Sequence, residues 1–178
     1  MNVLVRDKAR SDALGAATKH LQRYENLLPY EPVGWDGSGN KKNVRGDIPV
    51  GVYNIAADFG QSRGTNTATI LPNESEHARK YGRTILLRYN IMTNQQIFAA
   101  RMDAFSAAVH PDFASDLTSE GGFNRTLWHE VGHYLGVDRT HDGRDLGEAL
   151  ETSSSTYEEL KADLVSLLVL RKIGRAHV

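Results

Sequence analysis

The chain has 178 residues, 40% of them hydrophobic and 24% charged, with a formal net charge of −1, the profile of one ordinary globular domain able to bury a core. That balance gives no electrostatic case for nucleic acid or an anionic membrane surface, and no stretch approaches the roughly 20 apolar residues of a membrane helix. There is no cysteine, which excludes thiolate metal sites, disulfides and cysteine nucleophiles but does not fix the compartment.

The opening residues lack the apolar run of a signal peptide. From about Lys8 to Leu28, the spacing of Ala13, Leu14, Ala17, Leu21, Tyr24 and Leu28 predicts one amphipathic helix. Pro29 and the polar run Gly34 to Gly46 end it in a long loop. Val50 to Ala56 reads as a strand, Thr67 to Leu71 as a short β run closed by Pro72, Glu74 to Tyr81 as a helix, and Thr84 to Ile91 as a buried strand. Asn94 to Val109 has helical spacing with Ile97, Phe98, Met102, Phe105 and Ala108 inward, and His110-Pro111 breaks it.

Two further helices carry the chemistry. The first is expected from about Asn124 to Leu135, after the Gly121-Gly122 loop, with Gly136 as its stop. The second is expected from near Ser155, with Leu160, Leu164, Leu167 and Leu168 at helical spacing. The last six residues, Ile173 to Val178, match the translation of a common sequencing adapter. The reading therefore assigns 173–178 to an adapter-derived tail and takes the chain as a C-terminally truncated fragment.

His129-Glu130-Val131-Gly132-His133 is an HExxH sequence on a helix. Residues four apart lie one turn above each other, so both imidazoles converge on one point and suit two corners of a tetrahedral zinc site. Glu130 points beside the metal, where a carboxylate can accept a proton from water. A third protein ligand is needed, and the second helix offers Glu158, Glu159 and Asp163. Ser155 with Glu158 fits a capping box, which leaves Glu159 free as the ligand; Thr156 with Glu159 is the competing box. Asp163, four residues beyond Glu159, shares its face and can hold a histidine's free N–H. Without HExxH nearby, both carboxylates would be ordinary acids at a helix N-terminus.

Other histidines are weaker candidates. A third ligand at the HExxHxxGxxH position would fall on Arg139, which cannot bind a cation, and His141 is off register. His20, His77 and His110 are isolated. The stretches Gly37 to Arg45 and Arg79 to Arg83 lack a phosphate-loop pattern.

The order TATILPNE (Thr67 to Glu74), a strand, a helix, LWHEVGHYLG and EELKADLVSLL resembles the dipeptidyl-peptidase III family of zinc peptidases, in its bacterial and plant, Nudix-linked branch. The resemblance covers roughly residues 60–170. It implies His129, His133 and Glu159 as ligands of one zinc, Glu130 as catalytic base, Asp163 as the acid behind a ligand, and Asn73 as a residue holding the substrate's backbone. Two features differ: the spacing between the histidines is that of the branch, and Ile70 stands where the family usually carries a second asparagine. No Nudix box is present.

The expected architecture is α+β, with a mainly helical zinc-binding lobe beside a small β-sheet. Residues 1–104 form the N-terminal helix and sheet portion of the peptidase domain, and 105–172 the zinc lobe. The expected function is zinc-dependent hydrolysis of short peptides, with no nucleic acid or membrane partner. The alternatives are a zinc hydrolase of another substrate and a zinc-retaining binding domain without catalysis.

Overall fold

The computed structural model describes residues 2–46, 48–58, 67–72 and 75–174. β1 (Asn2–Asp7) leads into α1 (Lys8–Ala17), whose N-cap Asp7 accepts the Arg10 N–H at 3.0 Å. A short 3-10 turn (Thr18–His20) separates α1 from α2 (Leu21–Leu27). After a long loop come β2 (Val50–Asp58), β3 (Ala68–Leu71), α3 (Ser75–Tyr81), β4 (Thr84–Arg88), α4 (Tyr89–Met92) and α5 (Gln95–Ala108). A 3-10 turn (Pro111–Asp116) precedes α6 (Ser119–Tyr134). α7 (Leu146–Leu150) and a 3-10 turn (Glu151–Ser153) lead to the long α8 (Ser154–Gly174).

The four strands form one mixed sheet in the order β1-β2-β4-β3. β1 runs antiparallel to β2, β2 parallel to β4, and β3 antiparallel to β4, with Ile70 opposite Ile85 and Ala68 opposite Leu87. Alternation puts Val50, Val52, Ala68, Ile70, Ile85 and Leu87 on one buried face. Leu127, Trp128, Val131 and Leu135 of the α6 segment and Val165 and Val169 of α8 join the same core. The architecture is α+β, with α6 lying between β3 and α8.

Several expected elements shift. The helix expected from Lys8 to Leu28 is two helices, because the chain turns at Thr18–His20 so that Thr18 and Leu21 are both buried. β1 was not anticipated; it is an edge strand with Val3 and Val5 exposed, so its apolar residues carry no core pattern. The strand expected through Ile91 stops at Arg88, and Tyr89–Met92 is helical. α5 has the expected position, with Asn94 capping the Gln96 and Ile97 N–H groups, but no residue in it is buried. α6 begins five residues earlier than expected, since the Thr118 hydroxyl accepts the Gly121 N–H and draws both glycines into the first turn. α8 continues through Ile173, which packs against the core, while 175–178 of the expected tail lie outside the described residues.

Candidate metal centre

α6 and α8 meet where a side chain is missing. A Cβ on Gly132 would lie 2.5 Å from the Ala162 carbonyl oxygen and 2.7 Å from its Cα. The glycine between the two motif histidines therefore lets the α8 backbone come against α6. That approach carries Glu158, Glu159 and Asp163 to the histidines.

The two Nε2 atoms of His129 and His133 lie 3.2 Å apart. His129 Nε2 is 3.2 Å from Glu159 Oε2, and His133 Nε2 is 3.8 Å from Glu159 Oε1. His129, His133 and Glu159 offer donor atoms that all fall within 4.8 Å of one another. Zinc bonds of roughly 2.0–2.1 Å in a tetrahedron put donors about 3.3 Å apart; the two histidines have that spacing, and the exposed Glu159 carboxylate fits once it turns to bring a single oxygen toward both. The opposite ring nitrogens are engaged. His129 Nδ1 lies 2.9 Å from Asp163 Oδ1, and His133 Nδ1 lies 3.3 Å from Glu158 Oε1. An ionised carboxylate only accepts, so donation from each Nδ1 selects the tautomer whose Nε2 is free to bind a cation placed between the two rings and Glu159.

The carboxylates behind the histidines are themselves held. Asp163 Oδ1 also accepts from Arg125 Nη2 at 2.9 Å, and Glu158 pairs with Lys161 Nζ at 2.8 Å. Burial pushes the Glu158 carboxyl up, but the hydrogen bond to His133 and the Lys161 charge outweigh it and hold it below its ordinary value. The capping role expected for Glu158 is thus corrected: α8 starts at Ser154, and Glu158 supports His133 instead. Successive helical residues diverge by 100°, so 158 and 159 serve different sides of one site while 159 and 163 share a face. Arg125 and Lys161 could not be singled out from sequence, because nothing local distinguishes them from solvated helix charges.

Glu130 is 8% exposed. Burial raises its carboxyl above the ordinary range, opposed by the nearby His133 and His129. A cleft of about 1520 Å³ opens over these groups, lined by Ala68 to Ile70 of the edge strand, by Glu130 and the three candidate ligands, and by Leu160 and Leu164 of α8. Asn73 lies outside the described residues. His110 caps the Asp112 N–H at 3.3 Å and His77 stacks on Tyr81; neither joins a metal-binding group among the described residues.

Fold and site together define an α+β scaffold whose paired helices carry a His-His-Glu set with zinc-like spacing and a buried carboxylate alongside. No family model and no curated protein matches the sequence. Among solved structures the chain is similar to dipeptidyl-peptidase III from Corallococcus sp. strain EGB, with a TM-score of 0.81 and 25% identity over 99% of this chain and 33% of that one. It is also similar to dipeptidyl-peptidase III from Caldithrix abyssi, with a TM-score of 0.76 and 24% identity over 98% of this chain and 33% of that one. The chain thus has the fold of a dipeptidyl-peptidase III segment and spans about a third of the length of those structures. Among the described residues, no helix is long and apolar enough to cross a membrane.

Proposed function

We propose that the chain is the zinc-binding part of a metallopeptidase of the dipeptidyl-peptidase III type, acting on short peptides. One observation carries this reading: two imidazole Nε2 atoms 3.2 Å apart with the Glu159 carboxylate facing both, and the far nitrogen of each histidine tied to its own carboxylate. Residues 1–104 then supply the sheet and N-terminal helices of the peptidase domain, and 105–172 its metal-binding lobe. When bound, zinc supplies Lewis acidity and lowers the pKa of a coordinated water to about 7.

The remaining chemistry belongs to side chains. His129, His133 and Glu159 hold the ion, and Asp163 and Glu158 fix the tautomer and orientation of the two imidazoles. Glu130 accepts a proton from the attacking water and delivers it to the leaving amine nitrogen. Its burial beside two histidines suits a base with a raised pKa, since such a group holds and releases a proton closer to neutrality. Asn73 is assigned to the substrate's backbone on the resemblance alone.

Metal analysis of the purified chain tests the reading. One zinc per chain is expected, with sharp loss of occupancy in His129→Ala, His133→Ala and Glu159→Ala. Glu130→Gln should keep its zinc and, in the longer protein that turns over peptide, lose activity. Full occupancy in Glu159→Ala together with loss in Glu158→Ala would show the wrong carboxylate chosen, and near wild-type turnover in Glu130→Gln would reject the base.

A further inference from the structure

The last turn of a helix leaves backbone carbonyls without intrahelical partners, and His133 sits in the last turn of α6. His129, one turn further in, is braced from α8 by Asp163. His133 is the ligand on the end that frays. The groups that close this end come from the N-terminal half of the chain. Arg83 Nη1 donates to the His133 carbonyl at 3.1 Å. Lys42 Nζ donates to the Gly136 carbonyl at 2.6 Å and to the Tyr134 carbonyl at 3.3 Å, and lies 3.5 Å from Asp138.

A buried carboxylate completes the closure. Glu25 is 0% exposed. One of its oxygens accepts the Gly136 N–H at 2.8 Å and the other accepts the Tyr30 hydroxyl. Gly136 turns the chain with φ of 83°, a left-handed conformation that favours glycine. Its N–H and carbonyl are therefore both taken by charged side chains, Glu25 on one side and Lys42 on the other. An ionised carboxylate in the interior is unfavourable unless donors satisfy it, and here one of the two donors is the main chain three residues past a candidate ligand.

We propose that Glu25, Lys42 and Arg83 form a clamp on the last turn of α6 that holds His133 in register with His129 and Glu159. They are positioning residues for the metal centre, reached from 50 to 111 residues away in sequence. The inference rests on the metal-binding reading of that centre. It adds that affinity for the ion is set partly by α2, the loop that follows it and the residue just before β4, none of which contributes a ligand.

Cobalt(II) titration of the 178-residue chain tests the clamp, read by the d–d absorption of the bound ion, alongside thermal unfolding of the metal-free protein. The variants are Glu25→Gln, which offers one acceptor oxygen to two donors, Lys42→Met, and Lys42→Arg, which restores a cation. Glu25→Gln and Lys42→Met are expected to weaken cobalt binding about 10-fold, within the range for groups behind a ligand, and to shift the d–d bands. Lys42→Arg should return most of the affinity and the wild-type spectrum. Should Glu25→Gln fail to fold, the two substitutions at the partly exposed Lys42 decide the question. Variants that bind cobalt as wild type does, with lower melting temperature alone, overturn the clamp and leave the metal site standing. A folded wild-type chain that binds no cobalt overturns the metal reading and the clamp with it.

Discussion

Gly132→Ala is the substitution that weighs two opposed effects against each other at the metal centre. Replacing a mid-helix glycine by alanine ordinarily stabilises a helix by about 1 kcal/mol. Here the new Cβ would sit 2.5 Å from the Ala162 oxygen, 2.7 Å from its Cα and 3.0 Å from its carbonyl carbon. All three atoms are backbone, and Ala162 is fully buried, so no rotamer change relieves the contact. Restoring normal separation requires α8 to retreat by about 1 Å, and overpacking of this kind costs roughly 1–3 kcal/mol. With a rigid partner the upper end applies, leaving a net loss of about 2 kcal/mol after the propensity gain. The centre is affected more sharply than the fold. If Glu159 is the third ligand as proposed, a retreat of about 1 Å is a large fraction of a zinc–oxygen bond of about 2.0–2.2 Å and would weaken that bond. Urea unfolding of the metal-free chain and zinc titration should show lower stability and at least a tenfold loss of affinity. Ala162→Gly in the same background should not rescue either, because the obstructing atoms remain. A Gly132→Ala chain that is as stable as wild type and binds zinc equally well would refute the close-approach argument.

Asp163→Asn should weaken metal binding about 10- to 100-fold, less than loss of a ligand, as measured by competition with a chromophoric chelator; unchanged affinity would make Asp163 an ordinary partner of Arg125. Chelation should lower the melting temperature of the zinc-loaded chain, since free metal at 100 times its dissociation constant contributes about 2.7 kcal/mol, and identical melting curves with and without chelator would refute this. Burial, and then the hydrogen bond to Glu25, raise the Tyr30 hydroxyl well above its ordinary value of 10.0. The native state therefore keeps a proton that the unfolded state releases, so this contribution is intact below about pH 10 and declines as pH rises further. Tyr30→Phe should flatten the alkaline fall in stability by up to one proton's slope; an unaltered slope would count against the buried Tyr30–Glu25 pair.

What the sequence conveyed about the fold depends on which elements bury one face. β2, β3 and β4 are short β-prone runs bounded by polar or proline-containing loops, and β3 and β4 turn alternate residues into the core, so their positions could be read. β1 bears valines on an open edge, so its pattern matches no core and it passes unseen. α5 is the converse case. Its apolar residues have helical spacing, yet none is buried among the described elements, so periodicity located the helix and misjudged its surroundings.

The candidate metal centre divides along a similar line. His129 and His133 are legible because their convergence is a property of a single helix, and i,i+4 geometry holds wherever the helix packs. Glu159 and Asp163 share a face for the same reason, so their roles could be argued from local spacing once the second helix was assumed to cross the first. Glu158 could not be placed in this way: a capping box and a partner for His133 need the same residue type, and the choice turns on where α8 begins and how closely it approaches. That distance is set by Gly132 against the Ala162 backbone, a contact between positions 30 residues apart that no local pattern encodes. The clamp on α6 lies further still from local reading, since Glu25, Lys42 and Arg83 each look like solvated charges until the fold brings them to one helix end. The candidate ligands are therefore written in short-range spacing, whereas the precision with which they meet depends on long-range contacts. Substitutions at Gly132 and Lys42 should accordingly alter metal affinity while every candidate ligand remains in place.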